Sequence, residues 1–179
     1  MSNNDWFRRK TWTTEVQGDF FDRLRRSRGA SKKAQYARIQ AYELQTVGTT
    51  AALIGAVDLL NLILAEWRSE AQLAAVHHQF ALCFLGLGQQ ERAIESFREV
   101  FEAQRRQPSL LTDAHLDFGW LSIAVPLPAL FSEVIGVLDE FRHQPILPIQ
   151  IYRDSAIRCE GRSNSAAGGG LKVRHPWVG

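Results

Sequence analysis

The sequence predicts an all-α protein built from antiparallel helical hairpins behind an N-terminal capping helix. Three observations carry this reading. Apolar residues recur three and four apart along successive segments, the period of a half-buried helix. The breaks between segments hold the residues that start and stop helices, such as Ser69, Gly88, Pro108 and Pro128. In the central segment two such stripes are separated by so short a link that the helices must return antiparallel.

The N-terminal segment, residues 1 to 30, combines aromatic anchors with a basic helix. Trp6, Phe7 and Trp12 precede Thr14-Glu15-Val16-Gln17, which has the form of a capping box. Val16, Phe20, Phe21 and Leu24 then mark a short helix ending near Arg28. Arg23, Arg25, Arg26, Arg28, Lys32 and Lys33 straddle its end, where the helix macrodipole favours cations. This helix is expected to cap whatever stacks behind it.

Ser31 is the expected cap of the next helix, carrying Tyr36, Ile39, Ala41, Leu44 and Val47 before Gly48. Thr50 is the expected cap of the one after, whose Leu53, Ile54, Val57, Leu60, Ile63, Leu64 and Trp67 cover much of its circumference. That helix should be the most buried.

The central hairpin is the clearest. Ser69-Glu70-Ala71-Gln72 reads as a capping box, Leu73, Val76, Phe80, Ala81, Phe84 and Leu85 form the stripe, and Gly88 ends the helix. Ala93, Ile94, Phe97, Val100 and Phe101 then form a second stripe, opposite Glu91, Arg92, Glu95, Arg98, Glu99, Glu102 and Arg105. Glu102 and Arg106 are spaced for an ion pair, and Pro108 follows the last turn.

After it, Thr112 or Asp113 is placed to cap Ala114 to Val125, and Pro128 suits the first position of a helix from Ala129 to Arg142. Pro145 and Pro148 are expected to end regular structure. Residues 146 to 158 then form an apolar segment, in which Ile146 to Tyr152 either packs across the last hairpin or begins another unit. Residues 159 to 179, with Gly168-Gly169-Gly170, read as a flexible tail, and Lys172 to Trp177 as a short docking motif or a remnant without function.

The central hairpin resembles the tetratricopeptide repeat, a helix-turn-helix unit of about 34 residues. Ala81 and Phe84 stand at the small and aromatic places of its first helix, Gly88 at its turn, and Ala93 and Phe97 at the corresponding places of its second. His77 stands where the family has Trp, and Pro108 arrives late. Weaker copies flank it, with Ala41, Leu44, Gly48, Ala56 and Leu60 upstream and Phe118, Gly119, Pro126, Phe131, Ile135 and Leu138 downstream. The resemblance covers residues 31 to 145 and implies three hairpins in a right-handed stack, a solenoid that binds proteins or peptides on its concave face.

In that geometry the groove is lined by Arg38, Tyr42 and Gln45, then His78, Leu82 and Leu85, then Leu116, Trp120 and Ile123. It grades from polar to apolar and suits an apolar or helical segment of a partner, with Trp120 and Tyr42 as anchors. The opposing expectation is that the chain's own C-terminal segment, especially Ile146 to Tyr152, fills it.

Composition bounds the remaining classes. With 45% hydrophobic and 22% charged residues in 179, the chain can bury a core, so disorder throughout is excluded. Residues 1 to 46 carry ten Lys or Arg against five Asp or Glu, and residues 47 to 143 carry six against twelve. A basic N-terminal segment that neutralises phosphates, with Trp6, Phe7 and Trp12 stacking on bases, is the competing functional class; a solvated basic face is its ordinary alternative, and nucleic acid is the disfavoured partner. Cys83 and Cys159 make no disulfide framework, which suits a reducing compartment, and the cytoplasm is the expected location.

Neither a signal peptide nor a membrane span is expected. Ala51 to Ala65 and Phe118 to Phe131 are too short and interrupted to cross a bilayer. His77 and His78 point about 100° apart on a helix, and joining them with Asp113 and His115 makes no chelating pattern, so no metal is expected. No phosphate loop, nucleophile elbow or carboxylate pair is present, so neither catalysis nor a cofactor is expected. The sequence points to an adaptor or inhibitor of a protein partner, one such role being to neutralise a toxin as an immunity-type protein.

Overall fold

The computed structural model describes residues 5–124, 128–141 and 148–166. Among them are α-helices and no strand: α1 (Thr14–Arg26), α2 (Ala30–Val47), α3 (Thr50–Glu66), α4 (Glu70–Gly86), α5 (Gln90–Arg106), α6 (Ala114–Ala124), α7 (Pro128–Glu140) and α8 (Pro148–Ala166). Contacts divide the described chain into two compact units, one ending at Leu111 and the other beginning at Thr112.

In the first unit the helix ends follow from local chemistry. The Thr13 and Thr49 hydroxyls accept from the N–H groups of Val16 and Ala52, each at 3.4 Å, and so cap α1 and α3. Each cap falls one residue before the expected Thr14 and Thr50. Helix α2 is preceded by Gly29 rather than capped by Ser31, and no side chain caps it. The α4–α5 turn closes as a Schellman motif: Gln89 N–H donates to Phe84 O at 2.8 Å and Gly88 N–H to Leu85 O at 3.0 Å, with Gly88 left-handed at φ 72°. The Ser69 capping box does not form, because the Ser69 side chain makes no cap hydrogen bond. Glu102 pairs with Arg105 at 2.6 Å rather than with Arg106, which reaches Glu70 at 3.7 Å.

Helices α2 and α3 pack as one pair and α4 and α5 as another, with α3 against α4 and α2 touching α4. One core cluster runs through Leu44, Ala56, Leu60, Ile63, Val76, Phe80, Cys83 and Ala93. Helix α5 is amphipathic as expected, burying Ala93, Phe97, Val100 and Phe101 and exposing Glu91, Glu95, Glu99 and Glu102. The residues before α1 form a strap. Trp6 meets Phe20 at 5.4 Å and Tyr36 at 5.0 Å, and Trp12 meets Phe20 at 5.4 Å. Gln40 clamps the strap by accepting from Arg9 N–H at 2.8 Å and donating to Arg9 O at 2.6 Å.

In the second unit α6 packs on α7 and on α8. The Thr112 hydroxyl accepts from Ala114 N–H at 3.3 Å, and Pro128 is the first residue of α7. Helix α8 corrects two expectations. Pro148 starts a helix instead of ending regular structure, as its fixed φ and missing N–H permit at the first helical position. Helix also continues through residues 159 to 166, which were expected to be tail. Val125, Pro126, Arg142, Pro145, Ile146 and the 167–179 stretch, including Lys172 to Trp177, lie outside the described residues.

Candidate protein-binding surface

Arg38, Tyr42 and Gln45 stand four and three residues apart, so they share one face of α2; His78, Leu82 and Leu85 share one face of α4 in the same way. The two helices touch, and Gln79 Nε2 donates to Arg38 O at 3.4 Å across the contact. Tyr42 is 52% exposed, and the other five are half-buried. The two rows therefore lie side by side and are all partly open to solvent. His78 also meets the next helix, its ring lying 6.1 Å from Phe97 on α5. Leu85 leans on the core cluster and contributes a partial surface.

Arg38 is the charged group of this surface. Its guanidinium is half-buried and has no acid partner among the described residues, and burial alone holds its pKa below the ordinary value. The carbonyl oxygens of Gln45 and Gln79 are buried without a hydrogen-bond donor among the described residues. Helices α2 and α4 thus carry a cation and two acceptors beside the apolar faces of Tyr42, Leu82 and Leu85.

The third row behaves differently. Leu116 is 2% and Ile123 is 6% exposed, so neither is available to a partner, and only Trp120 keeps partial exposure. The cause is α8. Arg153 pairs with Asp117 at 2.5 Å, Gln150 Nε2 donates to Asp113 Oδ1 at 3.0 Å, and Ile157 sits against Gly119. At about 100° per residue, Leu116, Trp120 and Ile123 lie between Gly119 and Asp117 around α6, so α8 spans the row. Sequence reasoning named Ile146 to Tyr152 as a filler of this face. Of that stretch Gln150 makes such a contact, and Arg153 and Ile157, just beyond it, make the others; the three- and four-residue spacing of these three was the signal for a helix.

The basic N-terminal segment is partly neutralised within the chain. Arg8 pairs with Glu43 at 3.3 Å, Arg9 with Asp19 at 3.5 Å, Arg23 with Asp19 at 2.9 Å, and Arg25 with Asp22. Phe7 and Trp12 are half-buried among aromatic and core residues, Trp12 against Gly55 of α3. Among the described residues no three of His, Cys, Asp and Glu converge as a metal ion would require, and no helix is long and apolar enough to cross a membrane. Cys83 is buried, which pushes its thiol up to about 12; Cys159 is exposed.

No family model, curated protein or solved structure matches the chain.

Proposed function

We propose that the chain is a non-catalytic protein-binding module that seats a helical segment of a partner along the neighbouring faces of α2 and α4. The observation that carries this is the contrast between equivalent rows. The α6 row is covered by the chain's own helix α8, whereas the α2 and α4 rows remain partly open. Helix α8 is a guide to what such a row takes: a helix that meets it through an apolar contact, Ile157 on Gly119, and a charged pair, Arg153 with Asp117. On α2 the charge is Arg38, so the partner segment carries a carboxylate there and an apolar face toward Tyr42, Leu82 and Leu85. The packing of α2 on α3 and of α4 on α5, each pair joined by a short link, supports the resemblance to the tetratricopeptide repeat.

A module of this kind serves as an adaptor or as an inhibitor, including one that neutralises a toxin by covering its active surface, with no cofactor and in the cytoplasm. The test is affinity capture by the full chain from its source lysate at low and high salt. One protein retained at high salt, lost with Leu82→Asp and weakened with Arg38→Glu while helicity is unchanged, is the expected result. Equal retention by Leu82→Asp would overturn the assignment to α2 and α4.

A nucleic-acid-associated regulator is the second reading. It is favoured by one observation: Arg26, Arg28, Lys32 and Lys33, around the α1–α2 junction, have no acid partner among the described residues.

A further inference from the structure

A cleft of about 490 Å³ opens at the junction of α1 and α2, lined by Trp6, Arg23, Arg26, Ser27 and Tyr36. We propose that this cleft binds a nucleotide, its phosphate held by Arg26 and Arg23 and its base set against Trp6 and Tyr36. This deepens the second reading by giving it a site; its residues are distinct from those of the α2 and α4 rows, so either assignment can fail without the other.

The two rings are fixed before any ligand arrives. Trp6 lies 5.0 Å from Tyr36, 5.4 Å from Phe20 and 5.4 Å from Phe7, and Tyr36 lies 4.7 Å from Phe7. Both remain half-buried where they line the cleft, so binding need not order them first. Trp12, one of the three rings that the competing reading would stack on bases, packs on Phe20 and Gly55, and the second ring lining the cleft is Tyr36.

The cations are not accounted for by the fold alone. Arg23 is tied to Asp19 through its Nε at 2.9 Å. Arg26 uses its Nε on Asp22 O at 3.1 Å, and its two terminal amino groups have no acid among the described residues. The dipole of α1 favours Arg23 and Arg26 at its C-terminal end, but that of α2 disfavours Lys32 and Lys33 in its first turn, which contains no acid. An anion brought to this junction relieves their repulsion. The phosphate supplies the charge-assisted acceptor that the Arg26 terminal amino groups lack, with Arg23 beside it, and the base supplies a planar face for the rings.

The test is titration calorimetry of the full chain with adenosine 5′-monophosphate, adenosine, inorganic phosphate, phenyl phosphate and a single-stranded oligonucleotide, at low and high salt. The nucleotide is expected to bind more tightly than adenosine, phosphate or phenyl phosphate, and to weaken with salt. Arg26→Glu, at unchanged helicity, is expected to weaken it about tenfold or more. Proton contacts from the bound base to the Trp6 and Tyr36 rings, seen by NMR, would place the ligand without any variant. An oligonucleotide that outcompetes the free nucleotide identifies a single strand as the source; equal affinity identifies the free nucleotide. Binding of phosphate or phenyl phosphate as tight as that of the nucleotide, or binding unaffected by Arg26→Glu, would overturn the proposal, as would no binding by any probe.

Discussion

Gly119 of α6 and Ile157 of α8 touch so closely that a Cβ on Gly119 would stand 2.7 Å from Ile157 Cδ1 and 3.1 Å from its Cγ2. Ile157 is fully buried, so any shift of its branched side chain is made within the core. The glycine is therefore what lets α8 lie across the α6 row.

Gly119→Ala is expected to cost about 1–3 kcal/mol by overpacking, against the small gain in helix propensity that alanine brings. Ile157→Ala is expected to cost about 2–5 kcal/mol by leaving a cavity. Denaturant unfolding checks both, and amide exchange should accelerate in α8 before α2 or α3. Unchanged protection of α8 in Gly119→Ala would show that the contact does not hold the helix.

The pair Asp117–Arg153 sets the register of the same helix. The carboxylate is nearly buried, whereas the guanidinium keeps part of its surface in water. Arg153→Met should therefore cost more than Asp117→Asn, because it takes the cation away from a nearly buried carboxylate: about 1–3 kcal/mol against about 1 kcal/mol. The double change Asp117→Leu with Arg153→Met is expected to recover much of the loss. A double-mutant cycle gives the coupling directly, and a coupling near zero would assign the pair to surface decoration.

The existence of seven helices was legible because periodicity and breakers agreed, most plainly in Gly88, which takes the left-handed turn that the glycine pattern implied. Cap identities were less legible. Thr13 and Thr14, or Thr49 and Thr50, offer adjacent hydroxyls, and only the backbone decides which one lies just outside the helix. Helix α8 was missed because Pro145 and Pro148 were read as terminators, although a proline at the first helical position starts a helix equally well. The candidate surface was half legible. Tyr42 is exposed and Leu82 half-buried on the faces that spacing assigns them, but burial of Leu116 and Ile123 depends on a distant helix, which no local pattern records.

The N-terminal strap makes its own prediction. A Cβ on Gly55 would approach Trp12 Nε1 to 2.7 Å, so Gly55→Ala should push the indole off α3. Gln40→Ala should free Arg9 by removing both of its backbone hydrogen bonds, leaving two groups to be satisfied by water. Each variant is expected to speed tryptic cleavage at Arg8, Arg9 and Lys10 severalfold while the helices persist. Cleavage rates equal to that of the parent chain would mean that the aromatic contacts alone hold the strap.

His77 gives the pH dependence its sign. Burial lowers its pKa from the ordinary 6.5; the Glu99 carboxylate pulls it back up, and the positive charges of Arg68 and Arg106 lower it further. The unfolded chain therefore binds the proton at a pH where the folded chain does not. Its contribution to stability is fully present above the ordinary value and is lost as pH falls through 6.5 toward the lower folded value. The denaturation midpoint is expected to drop between about pH 7 and pH 5, the range in which histidine titrates. In His77→Gln that part of the slope should disappear, while any loss at still lower pH, where carboxylates titrate, should remain. A variant with the parent's slope would transfer the effect to another group, and a slope of opposite sign would mean that Glu99 outweighs burial.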